Sequence, residues 1–375
     1  MLVSGRIWAA ERWIGATIGH AHGVEGAVQG ALWQIRHWYY GKLLAFSAFP
    51  ALPLLVLVGY YADVPWLLPA IAFVGIPALD LAIGPDRTEP LDSSAPRLAT
   101  AWLRTMPRLY VFLWLGTLAW AAHTLAYEAT GPTAVWLVVS VAIATAFATC
   151  VAHELVHWPS AFDRGLARLI MATVAYGPFP FEHLHHHAKV GVASEGTTPP
   201  LGQSVWGAVT KNAQFTLRSA WRIERRRQLA KRQRLVLNRY VQQWLLTAFV
   251  IVVFAMIGGP WGLALFLAQA AFGIFTTEYV NYAQHYGLSR DAPAPPRGSL
   301  SWNSNGFMTN AFTLNITRHV HHHLDADVPY YDLRHIESMP VLPAGYLALF
   351  FPALIPSLWR RLMDARARRF ATSAG

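Results

Sequence analysis

Sixteen histidines are spread over 375 residues, and the chemistry this chain can offer is concentrated where they crowd together. The first crowd is His153-Glu154-Leu155-Val156-His157, whose spacing of four sets two imidazoles on one face of a helix. The second is Glu182-His183-Leu184-His185-His186-His187. There His183, His186 and His187 share a face, whereas His185 stands roughly 200 degrees round. The third is His285 in Asn281-Tyr282-Ala283-Gln284-His285-Tyr286-Gly287, with Glu278 two turns earlier. The fourth, Arg318-His319-Val320-His321-His322-His323, repeats the one-face pattern at His319, His322 and His323 and leaves His321 aside.

These four crowds supply nine imidazoles with helical ligand spacing. Nine donors exceed the roughly four to six that one ion takes, so the pattern predicts two metals, and imidazole suits Fe, Zn and Cu rather than Mg or Ca. His185 and His321 remain open as extra ligands. His20, His22, His37, His123 and His335 lack such spacing and read as satisfied polar residues. The string His153 to His157 is also that of a zinc metalloprotease with Glu154 as base, but that reading leaves seven clustered histidines idle. A metal transporter or sensor is a further alternative, and it would hold its ligands near a bilayer midplane.

The elements that must position these rings are apolar. Hydrophobic residues make up 54% of the chain and charged residues 13%, against about 25% charged in soluble proteins. The deficit excludes an ordinary soluble enzyme. Mean hydropathy is +0.30, and 16 Trp, 14 Tyr and 19 Phe suit interfacial belts. Six segments near 43–61, 65–83, 109–128, 132–152, 242–258 and 261–281 approach the ~20 residues a span needs. They pair into hairpins whose turns, Tyr61 to Val64, Tyr127 to Gly131 and Gly258 to Pro260, carry no Lys or Arg.

The positive-inside rule then puts both termini and all four crowds in the cytoplasm. The expected fold is an all-α membrane protein of the bacterial-type inner membrane, with six transmembrane helices in three hairpins. A cytoplasmic helical cap would carry a histidine-rich dimetal site. Along the chain this gives an interfacial region 1–41, anchored by Trp8, Trp13, Trp33 and Trp38, then spans one to four over 42–152. A cytoplasmic segment 153–241, spans five and six over 242–285, and a C-terminal part 286–375 follow. Leu342 to Trp359, broken by Pro343, Pro352 and Pro356, reads as re-entrant or interfacial, and Asp291 to Pro296 as a loop. Charged Arg6, Glu11 and Arg12 argue against a cleaved signal peptide.

A net charge of +10 reports topology and contact with an anionic leaflet; no nucleic-acid recognition motif accompanies it. The basic stretch Arg218 to Arg239 reads as a headgroup-facing helix, or as a dock for an acidic electron carrier at Arg222, Arg225, Arg226 and Arg227. A single cysteine, Cys150, excludes an internal disulfide and any thiolate-held cluster.

The ordered set His153-Glu154-Leu155-x-His157, Glu182-His183, Asn281-Tyr282-x-x-His285-Tyr286-Gly287, Ser301-Trp302-Asn303-Ser304-Asn305 and Arg318-His319-x-x-His322-His323 resembles the integral-membrane non-haem diiron alkane 1-monooxygenases. That family sits in the membrane fatty acid desaturase and hydroxylase superfamily. The resemblance runs over roughly 75–365 and takes in Asp80, Gly84-Pro85-Asp86-Arg87 and Leu342-Pro343-x-Gly345-Tyr346. It implies two iron ions, O2 as co-substrate and hydroxylation of an unactivated C–H bond, typically an alkane's terminal methyl. It also implies electrons from a rubredoxin or ferredoxin with its NAD(P)H reductase, and no flavin or nicotinamide fingerprint occurs in the chain itself.

The hydrophobic substrate would arrive from the bilayer, through an apolar tube ending beneath the metals; no residue is assigned to it. Carboxylates must offset the charge of a site whose ligands are all neutral, and Glu154, Glu182, Glu278, Asp325 and Asp327 are the candidates, Glu154 and Glu278 first. Three departures set this chain apart: a second motif one residue shorter, Gln284 where glutamate is usual, and His321 where aspartate is usual. The shortened motif keeps an acyl desaturase or an aromatic-methyl hydroxylase of the same superfamily as the runner-up.

Overall fold

A computed structural model of the chain describes residues 41–86, 97–192, 196–290 and 300–372. The expected interfacial region 1–41, with its tryptophans and His20, His22 and His37, lies outside the described residues except for Gly41, and so does the loop Asp291 to Pro296. All described elements are helical: α1 (Gly41–Ala51), α2 (Leu54–Tyr61), α3 (Leu67–Ile83), α4 (Arg97–Tyr127), α5 (Gly131–His157), α6 (Ala161–Thr173) and α7 (Phe179–Lys189). Then come α8 (Val205–Ala230), α9 (Arg239–His285), α10 (Phe307–Phe312), α11 (His319–Leu324), α12 (Tyr346–Leu354) and α13 (Pro356–Thr372).

Among the described residues three helices, α4 from Leu98 onward, α5 and α9, are long and apolar enough to cross a membrane, and α1 with α2 make a fourth candidate if counted as one. The first expected span is not straight. Its two halves meet at 65°, because Pro50 and Pro53 lack the N–H that would carry helical hydrogen bonds across the joint. The second shortens to Leu67–Ile83 and contains a π-helical turn over Ile71–Gly75. The third and fourth run longer than expected, α4 by several turns before residue 109 and α5 to His157, which keeps the first histidine pair on a rigid helix.

A straight helix of α9's 47 residues would measure about 70 Å. Instead Gly259 leaves helical geometry at φ 53 and Pro260 follows it. Phe254 and Phe266 then meet at 5.4 Å between ring centroids, where twelve residues of straight helix would part them by about 18 Å. Segments 242–258 and 261–281 are therefore the two arms of one hairpin. Glycine lets the arms close: a Cβ on Gly262 would strike the carbonyl of Phe254, and one on Gly258 would lie 2.6 Å from the carbonyl oxygen of Ala122 in α4.

α4, α5, α6 and α9 share the main core around Tyr110, Trp114, Phe147 and Leu265. Arg108 of α4 grips Asp163 of α6 through two bonds of 2.7 and 2.8 Å. A second, smaller core gathers Tyr279, Tyr282, Tyr286, Trp302 and Trp359 where the end of α9 meets α13. The histidine-bearing ends of α5 and α9 lie at the opposite ends of those helices from the tight turns that precede Gly131 and follow Gly258.

Candidate metal centre

The last turn of α5 carries His153 and His157, and the last residue of α9 is His285. α7 and α11 are short helices laid between them. Pro180 at the start of α7 has the φ a first helical turn needs. Asn303 Oδ1 accepts from the backbone N–H of Val320 at 2.9 Å and so caps α11.

All nine histidines with ligand spacing meet here, in two adjoining groups. His153, His157, His183, His187 and His322 form one; His186, His285, His319 and His323 form the other. Within each group the ligand atoms lie within 4.8 Å of one another. α7 and α11 each serve both: His183 and His187 go to the first group with His186 to the second, while His319 and His323 go to the second with His322 to the first. Sequence spacing groups each triplet on one face but does not show that the face straddles two sites.

The Nε2 atoms converge. His157 and His183 approach to 3.0 Å, His183 and His187 to 3.1 Å, His186 and His285 to 3.2 Å, His285 and His319 to 3.1 Å, and His319 and His323 to 2.9 Å. An ion about 2.1 Å from two imidazole nitrogens at right angles holds them about 3.0 Å apart, so the donor set fits a metal. The Nε2 atoms of His153 and His322 are buried and meet no hydrogen-bond partner among the described residues. Burial, reinforced by neighbouring rings, holds His183, His322 and His323 well below the usual imidazole range and takes His187 down to about 3. Such rings are neutral at physiological pH and present a free lone pair.

The other ring nitrogens set the tautomer where they are bonded. His285 Nδ1–H donates to the carbonyl of Leu300 at 3.1 Å, and His186 Nδ1 meets Thr197 Oγ1 at 2.8 Å. Removing the latter with Thr197→Val is expected to weaken metal retention about tenfold to a hundredfold, read by titrating the metal off with a chelator. Equal retention in variant and parent would show that this bond is idle.

Other expected residues fall elsewhere. Glu154 turns away from the rings: its Oε1 accepts from Trp158 Nε1 at 2.7 Å and from the backbone N–H of Tyr330 at 3.0 Å. It ties α5 to the Tyr330 segment and is not placed as the base of a zinc protease. Glu182 and Glu278 are buried and line a cavity beside the rings, and Tyr176 OH donates to Glu278 Oε1. Asp325 and Asp327 are exposed in the turn after α11, where Asp327 N–H donates to Asp325 at 3.3 Å. His185 and His321 stand outside both groups, and His321 Nδ1 accepts from the backbone N–H of Arg334 at 2.9 Å. His123 and His335 also lie outside.

The cavity lies on the α5 and α9 side of the rings. His153, His183, His186 and His319 form its roof, and Thr149, Cys150, Phe179, Val280 and Ile316 are among its walls. The walls beside the rings are apolar in the main, but not wholly so. Carboxylates and amides, Glu182, Glu278, Asn281 and Gln284, share the lining, as a site of neutral ligands around cations requires.

Sequence reasoning noted Asp80, Asp86 and Arg318 within the resemblance but gave them no part in aiming α11. Arg318 is fully buried, with Nη2 2.8 Å from Asp86 Oδ2 and Nη1 donating to Leu333 O at 2.7 Å. Asp86 also meets Lys42 Nζ at 3.2 Å and accepts from Asn310 Nδ2 at 3.0 Å. Asp80 accepts from the N–H groups of Met308 and Thr309, at the start of α10. The signal was present: one acid inside an apolar span, another just after it, and an arginine directly before a histidine motif.

The basic stretch is partly self-satisfied. Buried Glu224 pairs with Arg227 at 2.9 Å and also with Arg239, and Arg225 donates to Gln228 at 2.8 Å. Of the four expected docking residues only Arg222 and Arg226 are exposed.

The chain matches the family described as Fatty acid desaturase over residues 130–353. It is 31% identical over 361 residues to alkane 1-monooxygenase 2 of Pseudomonas aeruginosa, an alignment covering 90% of this chain and 94% of that one. Alkane 1-monooxygenase 1 of the same organism is 33% identical over 320 residues, with 80% and 82% covered. The xylene/toluene monooxygenase hydroxylase component XylM of Pseudomonas putida is 28% identical over 224 residues, with 57% and 58% covered. Apolar helices, the histidine centre and these similarities together make the chain an integral-membrane monooxygenase that belongs to the fatty acid desaturase family, in the branch of the alkane 1-monooxygenases.

Proposed function

We propose that this protein hydroxylates the terminal methyl of an n-alkane, using O2 and two electrons from a rubredoxin- or ferredoxin-type carrier, at a pair of iron ions held by the nine histidines. The observation that carries this reading is the pair of adjoining imidazole groups roofing one cavity. Iron bound there would supply the O2-activating redox chemistry. The chain's own part is to hold the rings neutral, to offset the cationic charge through Glu182 and Glu278, and to admit the substrate's end beside the rings. Burial from water, at about 0.8 kcal/mol per methylene, concentrates an alkane in the bilayer, so the site has only to match the shape of a chain that has already left water.

The reading includes six transmembrane helices in three hairpins, with the histidine cap, both termini and the active site on the cytoplasmic face of a bacterial inner membrane. The lack of Lys and Arg in the three tight turns supports that orientation. Similarity to the XylM component supports a second reading, in which an aromatic methyl group is the target.

The test is membranes containing the chain, supplied with rubredoxin, its reductase and NADH, and offered octane, hexadecane, xylene and an acyl lipid, with products identified by mass and iron counted per chain. Terminal alcohol from an alkane and two irons per chain are expected. A desaturated lipid, a benzylic alcohol only, or one zinc per chain would each overturn the assignment.

A further inference from the structure

Resting on the monooxygenase reading above, we propose that the outer face of α13 is the docking surface for an acidic one-electron carrier protein. α13 has two unlike faces. Trp359, Met363 and Ala367 form a buried stripe, one turn apart, packed on the end of α9. The other face exposes Arg360, Arg361, Arg366, Arg368 and Arg369. The helix has one acid, Asp364, and it accepts a hydrogen bond from Tyr286 OH at 2.6 Å.

The buried face packs on the residues that follow a metal ligand. Tyr286 follows the ligand His285 in the chain, and its ring lies 5.7 Å from that of Trp359, centroid to centroid. A Cβ on Gly287 would come within 2.9 Å of Ala367 Cβ, so α13 sits against the backbone two residues from the ligand. Electron transfer falls off steeply with distance. The Trp359 and Tyr286 rings lie on the way from α13 to His285, which precedes Tyr286 in the chain.

The chemistry of the surface selects the partner. Around the α8–α9 turn, exposed Arg222, Arg226, Lys231, Arg232 and Arg234 alternate with exposed Leu229, Leu235, Val236 and Leu237. Cations interleaved with bare aliphatics are what a headgroup interface takes. On α13, beyond Leu358, no large hydrophobic is exposed among the described residues. Beyond Leu358 a face of exposed arginines gains little from acyl chains, so it fits a soluble surface of opposite charge better than the α8–α9 turn does, and the anionic headgroup layer is left as an outcome of the test. Each docking delivers one electron and leaves the carrier oxidised by one. Two successive dockings, with two protons and O2, balance one C–H bond converted to C–OH and one water released.

The experiment uses the full chain, iron-loaded in nanodiscs, with an acidic rubredoxin, its reductase and NADH. A variant combining Arg360→Gln, Arg361→Gln and Arg366→Gln is compared with one combining Arg222→Gln and Arg226→Gln. The α13 variant should raise both Kd and apparent KM for rubredoxin about tenfold at low salt, with the gap closing at high salt. Its iron content, kcat at saturating rubredoxin and dithionite-driven single turnover should match the parent, and the α8 variant should bind rubredoxin as the parent does. Parent-like rubredoxin binding by the α13 variant, a tenfold loss in the α8 variant instead, or an effect that follows the anionic lipid content of the disc would each overturn the proposal. So would a parent protein that does not bind rubredoxin. Rubredoxin binding that depends on α13 but yields no oxygenated product would leave the surface standing and remove the monooxygenase reading.

Discussion

On the diiron reading, His285→Ala is expected to abolish turnover and to leave well under two irons per chain, because the two groups share α7 and α11. His285 is one of four rings in its group, fully buried, with Nε2 3.2 Å from that of His186 and 3.1 Å from that of His319. Losing it leaves three donors, and the methyl that replaces it cannot fill the gap. Outer partners of metal ligands alone cost about tenfold to a hundredfold, so loss of a ligand should exceed a hundredfold in rate. His187→Ala is the informative companion: its group keeps four rings and should retain more iron. Both are read by metal analysis and by product formation with saturating carrier. An active His285→Ala protein with two irons would remove His285 from the ligand set.

Arg318→Met should destabilise the protein by about 3 kcal/mol or more and release iron with it. The side chain bridges Asp86 and Leu333 O with no exposure to solvent. Removing one partner of a buried pair leaves an uncompensated charge, which costs about 3–5 kcal/mol. Lys42, 3.2 Å from Asp86, tempers that loss without restoring the bond to Leu333. Thermal unfolding in detergent with iron content on the same sample checks it, and an unchanged midpoint would mean that α11 is held by other contacts.

The site was more legible in the sequence than the scaffold around it. Ligand spacing is a local property of a helix, so His183, His186 and His187 could be grouped from the i, i+3, i+4 rule alone. The division of each triplet between two groups depends on where α5, α9 and α11 approach α7, which no local rule contains. The hairpin in α9 was legible because Gly259 and Pro260 interrupt an apolar run. The 65° break between α1 and α2 left only two prolines as its trace, and length alone suggested one span. Charge density on paper singled out Arg222 to Arg227, but buried Glu224 and Gln228 engage two of them through contacts that folding creates. Glu154 shows the same limit. Its place beside two ligands suggested a role toward the metal, and its carboxylate points to Trp158 and Tyr330.

Because α7 and α11 each lend rings to both groups, the two halves of the centre cannot be filled as strangers. An ion in either group draws on rings of both helices, so filling one group fixes part of the ligand set of the other. Metal uptake should therefore be steep and near all-or-none, and a half-loaded preparation should consist of full and empty chains rather than a uniform one-ion species.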